Sequence, residues 1–327
     1  MDGQYLSHST SYAFGSEEWP EFYDLWVESL FGPGPSEDAS VFRSALERYA
    51  AGHNSGQPIN VVDIGTGTGR VIKDLWQEPG GALENVAFWG LDNAQAMLDR
   101  AKSTFDALEA SRRTDPAHHG QSSSLVRLPP TWIQAPAADF ASSLPNLAGN
   151  ADLIVFAVGG VGHLTADDEV ERFLEQVRRA LRPPGSYEPA RAIISVLHEM
   201  IPEKNPDLAV EREQSNPEHS SDNVTDKPDS IIPSRDHLGI TYVKLPTVSR
   251  WSSHDVRTDS FSITIIKDTE AGRYQEGEVL KKKEMAWSLR VFDEKAWNDA
   301  VKQAGLRIEE VKEGEIQRWY FLVPSGD

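Results

Sequence analysis

The run Val61-Val62-Asp63-Ile64-Gly65-Thr66-Gly67-Thr68-Gly69-Arg70 constrains this chain most tightly. Apolar residues around Asp63 read as a buried parallel strand, three alternate glycines follow, and a helix pattern opens at Arg70. Alternate glycines let the backbone take positive φ and let a ligand approach amide groups with no Cβ in the way. Strand, glycine loop and helix in this order open an α/β sheet that binds its ligand beyond the carboxyl ends of the strands. The spacing then separates ligand classes. A dinucleotide loop needs glycine at the first, third and sixth positions, the last for close helix packing. Counted from Gly65, glycine falls at the first, third and fifth positions and Arg70 occupies the sixth, which argues against a nicotinamide cofactor.

Further along, strands and helices alternate. Pro79-Gly80-Gly81 stops the first helix, and Val86 to Leu91 reads as a second strand ending at Asp92, then Asn93 and a helix carrying Met97 and Leu98. Trp132-Ile133-Gln134-Ala135 reads as a third strand leading to Ala138-Asp139-Phe140. Asp152 to Val158 is a fourth, followed by Gly159 to Leu164, an amphipathic helix, the stop Leu181-Arg182-Pro183-Pro184-Gly185, and a strand from Ala192 to Leu197. Near the end, Asp293 and Gly305 bracket a helix as N-cap and stop, and Leu306 to Val311 and Ile316 to Val323 read as strands. Trp19 to Tyr49 reads as two amphipathic helices, with Phe22, Leu25, Trp26 and Leu30 on one stripe and Val41, Phe42, Ala45, Leu46 and Tyr49 on the other. Ile240 to Val248, Phe261 to Lys267 and Val279 to Leu289 alternate as antiparallel strands inserted before the last helix.

The acid two residues before the glycines, and the block from Asp152 through Arg-Pro-Pro-Gly to Leu197, resemble the class I S-adenosylmethionine-dependent methyltransferases that act on small molecules. The likeness covers residues 59 to 200 and extends to the tail from Trp287. It implies an α/β fold: a Rossmann-like, seven-stranded, mostly parallel sheet with helices on both faces, an N-terminal helical lid and inserted antiparallel strands. The domains expected are a lid over 1–55, a cofactor-binding core over 56–200, an inserted cap over 201–290 and the rest of the core over 291–327. The implied cofactor is S-adenosyl-L-methionine, and the implied partner a small-molecule acceptor.

The same resemblance assigns cofactor contacts to Asp63, Gly65, Thr66, Gly67, Gly69 and Arg70 in the loop, to Asp92, Asn93 and Met97 after the second strand, to Asp139 and Phe140, to Ala157, and to Tyr23 of a Tyr23-Asp24 pair in the lid. Asp92 at a strand end suits both ribose hydroxyls, each charge-assisted bond contributing about 1.5 to 3 kcal/mol; it equally suits the cap of the next helix. Asp139 suits the adenine amino group or the N-cap of the short segment before Pro145.

Charge narrows the partners. With 51 acidic against 32 basic residues the net charge is −19, which repels a phosphate backbone or an acidic membrane surface. Lys281-Lys282-Lys283 sits in a strand pattern and reads as a solvated sheet edge. The absence of cysteine removes disulfides and thiolate chemistry, no compact set of acidic ligands for a metal stands out, and no apolar run suits a leader or membrane span, so cytoplasmic residence is the default. Residues 111 to 130, with His118-His119, have loop composition, and the polar stretch from Glu199 to Asp236 is expected to be disordered or to order only over ligand. Oligomeric state is not encoded legibly.

Methyl transfer from a sulfonium is an in-line displacement, so placement dominates: about 7 to 11 kcal/mol, against roughly a hundredfold to ten-thousandfold from a general base. His163 and His198 follow the fourth and fifth strands, where such a base belongs, and His163 is the catalytic candidate. The resemblance also gives His163 a pocket-lining or structural role. Tyr12, Phe14, Trp19, Tyr23 and Trp26 are candidates for sulfonium contact, with Trp26 at core spacing to Phe22 and Leu30. Trp251, His254, Trp287 and Arg290 are candidate acceptor contacts. Two other readings stand beside methyl transfer: a cyclase or pericyclase of this fold that binds the cofactor without using its methyl, and a non-catalytic cofactor-binding protein.

Overall fold

The structure, a computed structural model, describes residues 19–32, 36–52, 57–77, 85–114, 128–183, 185, 189–208, 227–253, 255–269 and 272–326. Tyr12, Phe14, Pro79-Gly80-Gly81, His118-His119, Pro184, His254 and residues 209–226 of the expected cap lie outside the described residues. In chain order the elements are α1 (Trp19–Phe31), α2 (Glu37–Gly52), β1 (Ile59–Ile64), α3 (Arg70–Gln77), β2 (Val86–Asp92), α4 (Gln95–Thr114), β3 (Thr131–Gln134) and β4 (Leu153–Phe156). There follow α5 (Glu169–Ala180), β5 (Arg191–Leu197), β6 (Ser230–Pro233), β7 (Ile240–Lys244), β8 (Val248–Trp251), β9 (Val256–Lys267), β10 (Glu278–Arg290), α6 (Glu294–Gln303), β11 (Leu306–Glu313) and β12 (Gln317–Pro324).

Contacts divide the chain into two units. The larger comprises Gly34–Val161, Asp168–His198 and Asp293–Asp327. Its sheet runs β11-β12-β5-β4-β1-β2-β3, parallel from β5 to β3, with β12 antiparallel to β5 and β11 antiparallel to β12. Side chains alternate between faces, so successive residues of one strand meet different helices. Val61, Leu153, Val155, Trp319 and Phe321 pack with Phe42 and Leu46 of α2 and Val71, Ile72 and Leu75 of α3. On the opposite face Phe156 meets Phe173 of α5 at 5.2 Å, and Tyr320 meets Trp297 of α6 at 5.6 Å. These two-sided contacts explain why the central strands read as nearly unbroken apolar runs. They also place α2 in the core of this sheet, whereas the sequence grouped it with α1. Asp293 caps α6 by accepting from Ala296 N at 2.9 Å, and Gly305 takes φ +71° after its end, both at the positions read from the sequence.

The smaller unit comprises Met1–Pro33, Gly162–Asp167 and Glu199–Phe292. Its antiparallel sheet is ordered β10-β9-β7-β6, with β8 also pairing β9. The strand read as one run from Ile240 to Val248 is two strands, because Pro246 between them has no N–H to donate. The polar stretch from Glu199 to Asp236 also holds more regular structure than its composition suggests. Ile201 and Leu208 are buried, Ser230–Pro233 forms β6, and Ser234, Arg235 and Asp236 all donate to one oxygen of Glu21 on α1 at 2.7, 2.8 and 2.9 Å. The other oxygen takes the Tyr242 hydroxyl at 2.7 Å. Burial raises the Glu21 pKa, but these donors outweigh it and the carboxyl titrates below its ordinary value. Lys281 and Lys282 are exposed on the edge strand β10, as expected of a solvated rim.

Candidate active site

The glycine loop of the parallel-sheet unit follows β1. Gly65, Gly67 and Gly69 have φ of +61°, +58° and +79°, a region that L side chains rarely adopt. A Cβ on Gly69 would lie 2.8 Å from the Trp132 ring, and one on Gly67 would lie 3.3 Å from the Met97 methyl. The loop is therefore closely backed from within, with Gly67 and Gly69 buried and Gly65 exposed. Thr66 N donates to Leu91 O at 2.8 Å, fixing the loop to the neighbouring strand. Asp63 is only 1% exposed and accepts the Thr66 hydroxyl at 2.6 Å, so the motif acid braces the loop from beneath. Burial pushes its pKa up to about 7, against the opposing pull of Thr66 and the Arg70 guanidinium.

Arg70 has a partner that its sequence position did not suggest. Its guanidinium lies 3.5 Å from Asp38 Oδ2, while Asp38 Oδ1 accepts from Gln317 Nε2 at 3.0 Å and Trp319 Nε1 at 2.9 Å. Asp38 thus joins the first turn of α2, the start of α3 and strand β12. The only local signal was an acid near a helix start, which suits the helix dipole without any such task.

Asp92 ends β2 beside the loop. One carboxylate oxygen accepts from Gly67 N at 2.9 Å and the other from Ala94 N at 2.8 Å, so it serves the glycine loop and the turn into α4 together. A carboxylate has about four acceptor positions, so the amides on it leave room for a hydroxyl. Burial raises its pKa against the amides of Ala94, Gly67 and Asn93. Met97 is buried, Asn93 is exposed, and Phe140 is fully buried with its ring 6.1 Å from Phe173. Asp139 makes no helix cap; it pairs with Arg172 at 3.2 Å. Ala157, half-buried after β4, precedes Val158, whose φ of 50° is positive without being glycine. A β-branched residue there is strained, and such strain clusters at working sites. All these residues follow the carboxyl ends of β3, β2, β1 and β4, which are adjacent in the sheet. The close-approach loop and the acid one strand away fit the nucleoside half of the expected cofactor.

The antiparallel unit holds Tyr23 and His163. Tyr23 is half-buried on α1, its ring 5.8 Å from Trp19. His163 closes the short turn Gly160–His163, and its Nδ1 lies 3.0 Å from Ser288 O. A carbonyl only accepts, so Nδ1 carries the hydrogen and Nε2 is the acceptor nitrogen of the ring. Burial lowers the His163 pKa, opposed by the Ser288 carbonyl and the charge of Asp259, which favours the neutral ring. Arg290, expected against an acceptor, instead grips the segment after His163: it donates to Leu164 O at 3.1 Å, Thr165 O at 2.6 Å and Ala166 O at 3.2 Å, and pairs with Asp255. Trp287 lies in a ring cluster with Trp19, Trp26 and Phe261, and Trp251 pairs in register with Arg257. His198, in the other unit, is engaged with Glu313 at 3.0 Å. Among the described residues no group of three or more metal-binding side chains converges, and no helix is long and apolar enough to cross a membrane.

Comparison with known proteins agrees with this geometry. Residues 61–185 match the family model described as a methyltransferase domain. N-methyltransferase FrzE of Cladobotryum sp is 28% identical over 131 residues, 38% of this chain and 39% of FrzE, so the matched segment spans about two fifths of that relative. Among solved structures, a S-adenosylmethionine-dependent methyltransferase from Clostridium acetobutylicum superposes with TM-score 0.57 at 14% identity, over 94% of this chain and 99% of the other. The sugar N-methyltransferase KedS8 from Streptoalloteichus gives TM-score 0.57 at 16% identity, over 93% of each chain. CalS10, an amino pentose methyltransferase from Micromonospora echinaspora solved with S-adenosylmethionine bound, gives 0.55 at 14%, over 93% of this chain and 96% of the other. At these identities the structural likeness speaks for the fold.

Proposed function

From a chain whose residues 61–185 belong to the class I S-adenosylmethionine-dependent methyltransferase family, we propose that the protein binds S-adenosylmethionine and methylates an oxygen or nitrogen of a small-molecule acceptor. The observation that carries this reading is the bond from Gly67 N to Asp92: a positive-φ glycine loop and an acid at the next strand end, locked together. FrzE, by its name, transfers a methyl to nitrogen.

When bound, S-adenosylmethionine supplies an electrophilic methyl group on a sulfonium. The chain's own residues do the remaining work. Gly65 offers exposed backbone that a ligand can touch, Gly67 and Gly69 shape the turn, and Asp92 accepts from the ribose. Phe140, fully buried against Phe173, backs this end of the sheet without presenting surface to a ligand. Asp63 holds the loop in shape through Thr66. His163, whose Nδ1 is held by the Ser288 carbonyl and whose burial favours the neutral ring, is the proposed base for the acceptor's proton.

Calorimetry with S-adenosylmethionine, S-adenosylhomocysteine and NAD tests the cofactor assignment, and both adenosyl ligands are expected to bind while NAD does not bind comparably. Tighter binding of NAD would falsify it. Mass analysis of products then separates methyl transfer from an unmethylated rearrangement.

The His163 role is tested by a variant pair. Proton transfer at Nε2 predicts that His163→Ala lowers kcat by about a hundredfold or more with little change in cofactor affinity, and that His163→Asn fails to restore it, because an amide does not take up the proton. Recovery by His163→Asn would assign the ring to orientation instead. Equal loss of stability and turnover in both variants would make His163 part of the core.

A further inference from the structure

Arg70 follows Gly69, the last positive-φ residue of the glycine loop, and is the first residue of α3. A cation at that end of a helix is disfavoured, because the aligned peptide dipoles already place positive charge there. The first turn of α3 holds no acid to offset it. The compensating charges come from elsewhere in the same unit: Asp38 of α2, 3.5 Å away, and Asp63 of β1, whose carboxyl the Arg70 charge pulls down against burial. Asp63 in turn accepts the Thr66 hydroxyl inside the loop. A line of charge and hydrogen bonding therefore runs from Asp38 through Arg70 and Asp63 to Thr66.

Asp38 is built to hold its end of that line. Its side chain is 2% exposed, and its Oδ1 takes two donors from β12, Gln317 Nε2 at 3.0 Å and Trp319 Nε1 at 2.9 Å. Both donors belong to buried residues, so the carboxylate is fixed in orientation. The same seam is closed again one turn further on, where Ser36 N donates to Asp74 Oδ2 of α3 at 3.4 Å and Arg43 of α2 donates to Asp74 O at 3.3 Å. The loop needs such an anchor. Glycines are free to leave a positive φ, so the shape of a loop that contains three of them is set by what its ends and cross-links are tied to. Thr66 N and Gly67 N tie it to Leu91 and Asp92 of β2. Arg70 ties its far end to α2 and, through Asp38, to β12.

Resting on the methyltransferase reading above, we propose that Asp38 is a positioning residue for the cofactor: by holding the Arg70 side chain it fixes the junction of the glycine loop with α3, and so sets cofactor affinity from a distance. An enclosed carboxylate has no surface to offer a ligand, so its effect on binding passes through Arg70.

The test is a double-mutant cycle of Asp38→Asn and Arg70→Met in the full chain, read by calorimetry with S-adenosylhomocysteine and by thermal unfolding of the same preparations. Asp38→Asn keeps an oxygen for Gln317 and Trp319 but turns an NH2 group towards the guanidinium, so it releases Arg70 while leaving the bonds to β12. Each single variant is expected to bind S-adenosylhomocysteine about tenfold more weakly than the wild type. The double variant is expected to bind no more weakly than the weaker single, because the second change finds nothing left to release. A merely structural Asp38 would lower the unfolding midpoint and leave affinity alone. Unchanged affinity in either folded single variant, or losses that multiply to about a hundredfold in the double, would overturn the inference and leave the cofactor reading intact. Absent S-adenosylhomocysteine binding by the wild type would instead sink the methyltransferase reading, and this inference with it. If Asp38→Asn does not fold, Arg70→Met decides alone: a loss of about tenfold supports the inference and unchanged affinity overturns it.

Discussion

Asp152→Ala is expected to destabilise the parallel-sheet unit by about 3 kcal/mol. Asp152 has no exposed surface and gathers three donors: the Tyr49 hydroxyl from α2, the Asn60 amide of β1 at 2.8 Å, and Arg182 Nε at 2.6 Å. Truncation removes the acceptor of a buried phenol and of a part-buried amide, each loss costing about 1 to 3 kcal/mol. The Arg182 side chain is 37% exposed and can turn to water, so its share is small and the total stays below that of a fully buried ion pair. Denaturant titration should show the midpoint falling with an unchanged slope. A loss under 1 kcal/mol would mean that the junction relaxes without these bonds.

The same junction sets a pH dependence. Burial first, and then the neighbouring Asp152, push the Tyr49 pKa well above its ordinary value of 10. A pKa raised on folding means that the folded state holds its proton more tightly. The associated stability is therefore complete below pH 10 and declines as pH rises beyond it. Tyr49→Phe, with no proton to lose, should flatten that alkaline decline while costing about 1 kcal/mol at neutral pH.

The parallel sheet was legible because its strands are buried on both faces and read as apolar runs, and because the glycine loop marks a strand's end. Lines of contact between distant residues were not legible. Asp38 shares an ion pair with Arg70 and hydrogen bonds with Gln317 and Trp319 on the other edge of the chain's sequence, yet local pattern offers only a helix-start acid. Arg290 looked like a residue facing an acceptor, but the carbonyls of Leu164, Thr165 and Ala166 claim its guanidinium, and nothing in the spacing of 164 to 290 announces it. Polar composition also misleads when a single buried acid can collect it: Ser234, Arg235 and Asp236 read as a solvated stretch, but they converge on Glu21. Pattern reports which face is apolar. It does not report which charge a buried polar group has found.

Asp92→Ala is expected to weaken binding of S-adenosylhomocysteine by about 2 to 4 kcal/mol, roughly 30-fold to a thousandfold. Two losses combine. The carboxylate that accepts ribose hydroxyls disappears, and Gly67 N loses the acceptor that orients the loop, so part of the binding energy is spent on ordering it. Stability should behave differently. Burial outweighs the amide donors and raises the Asp92 pKa above its ordinary value, so the ionised group opposes folding as pH rises past that value. Replacing it with alanine removes that cost along with the two hydrogen bonds, and at pH 7 the unfolding midpoint is expected to move little. Asp92→Asn keeps an acceptor oxygen for one amide but turns an NH2 group towards the other, so its affinity should fall between the two. Asp139→Ala, removing a half-buried group held by Arg172, should cost less than either. Calorimetry and thermal unfolding on the same preparations read both quantities. A binding loss matched by an equal loss of stability would mean that Asp92 serves the turn into α4 alone, and unchanged affinity in a folded variant would move the ribose to another strand end.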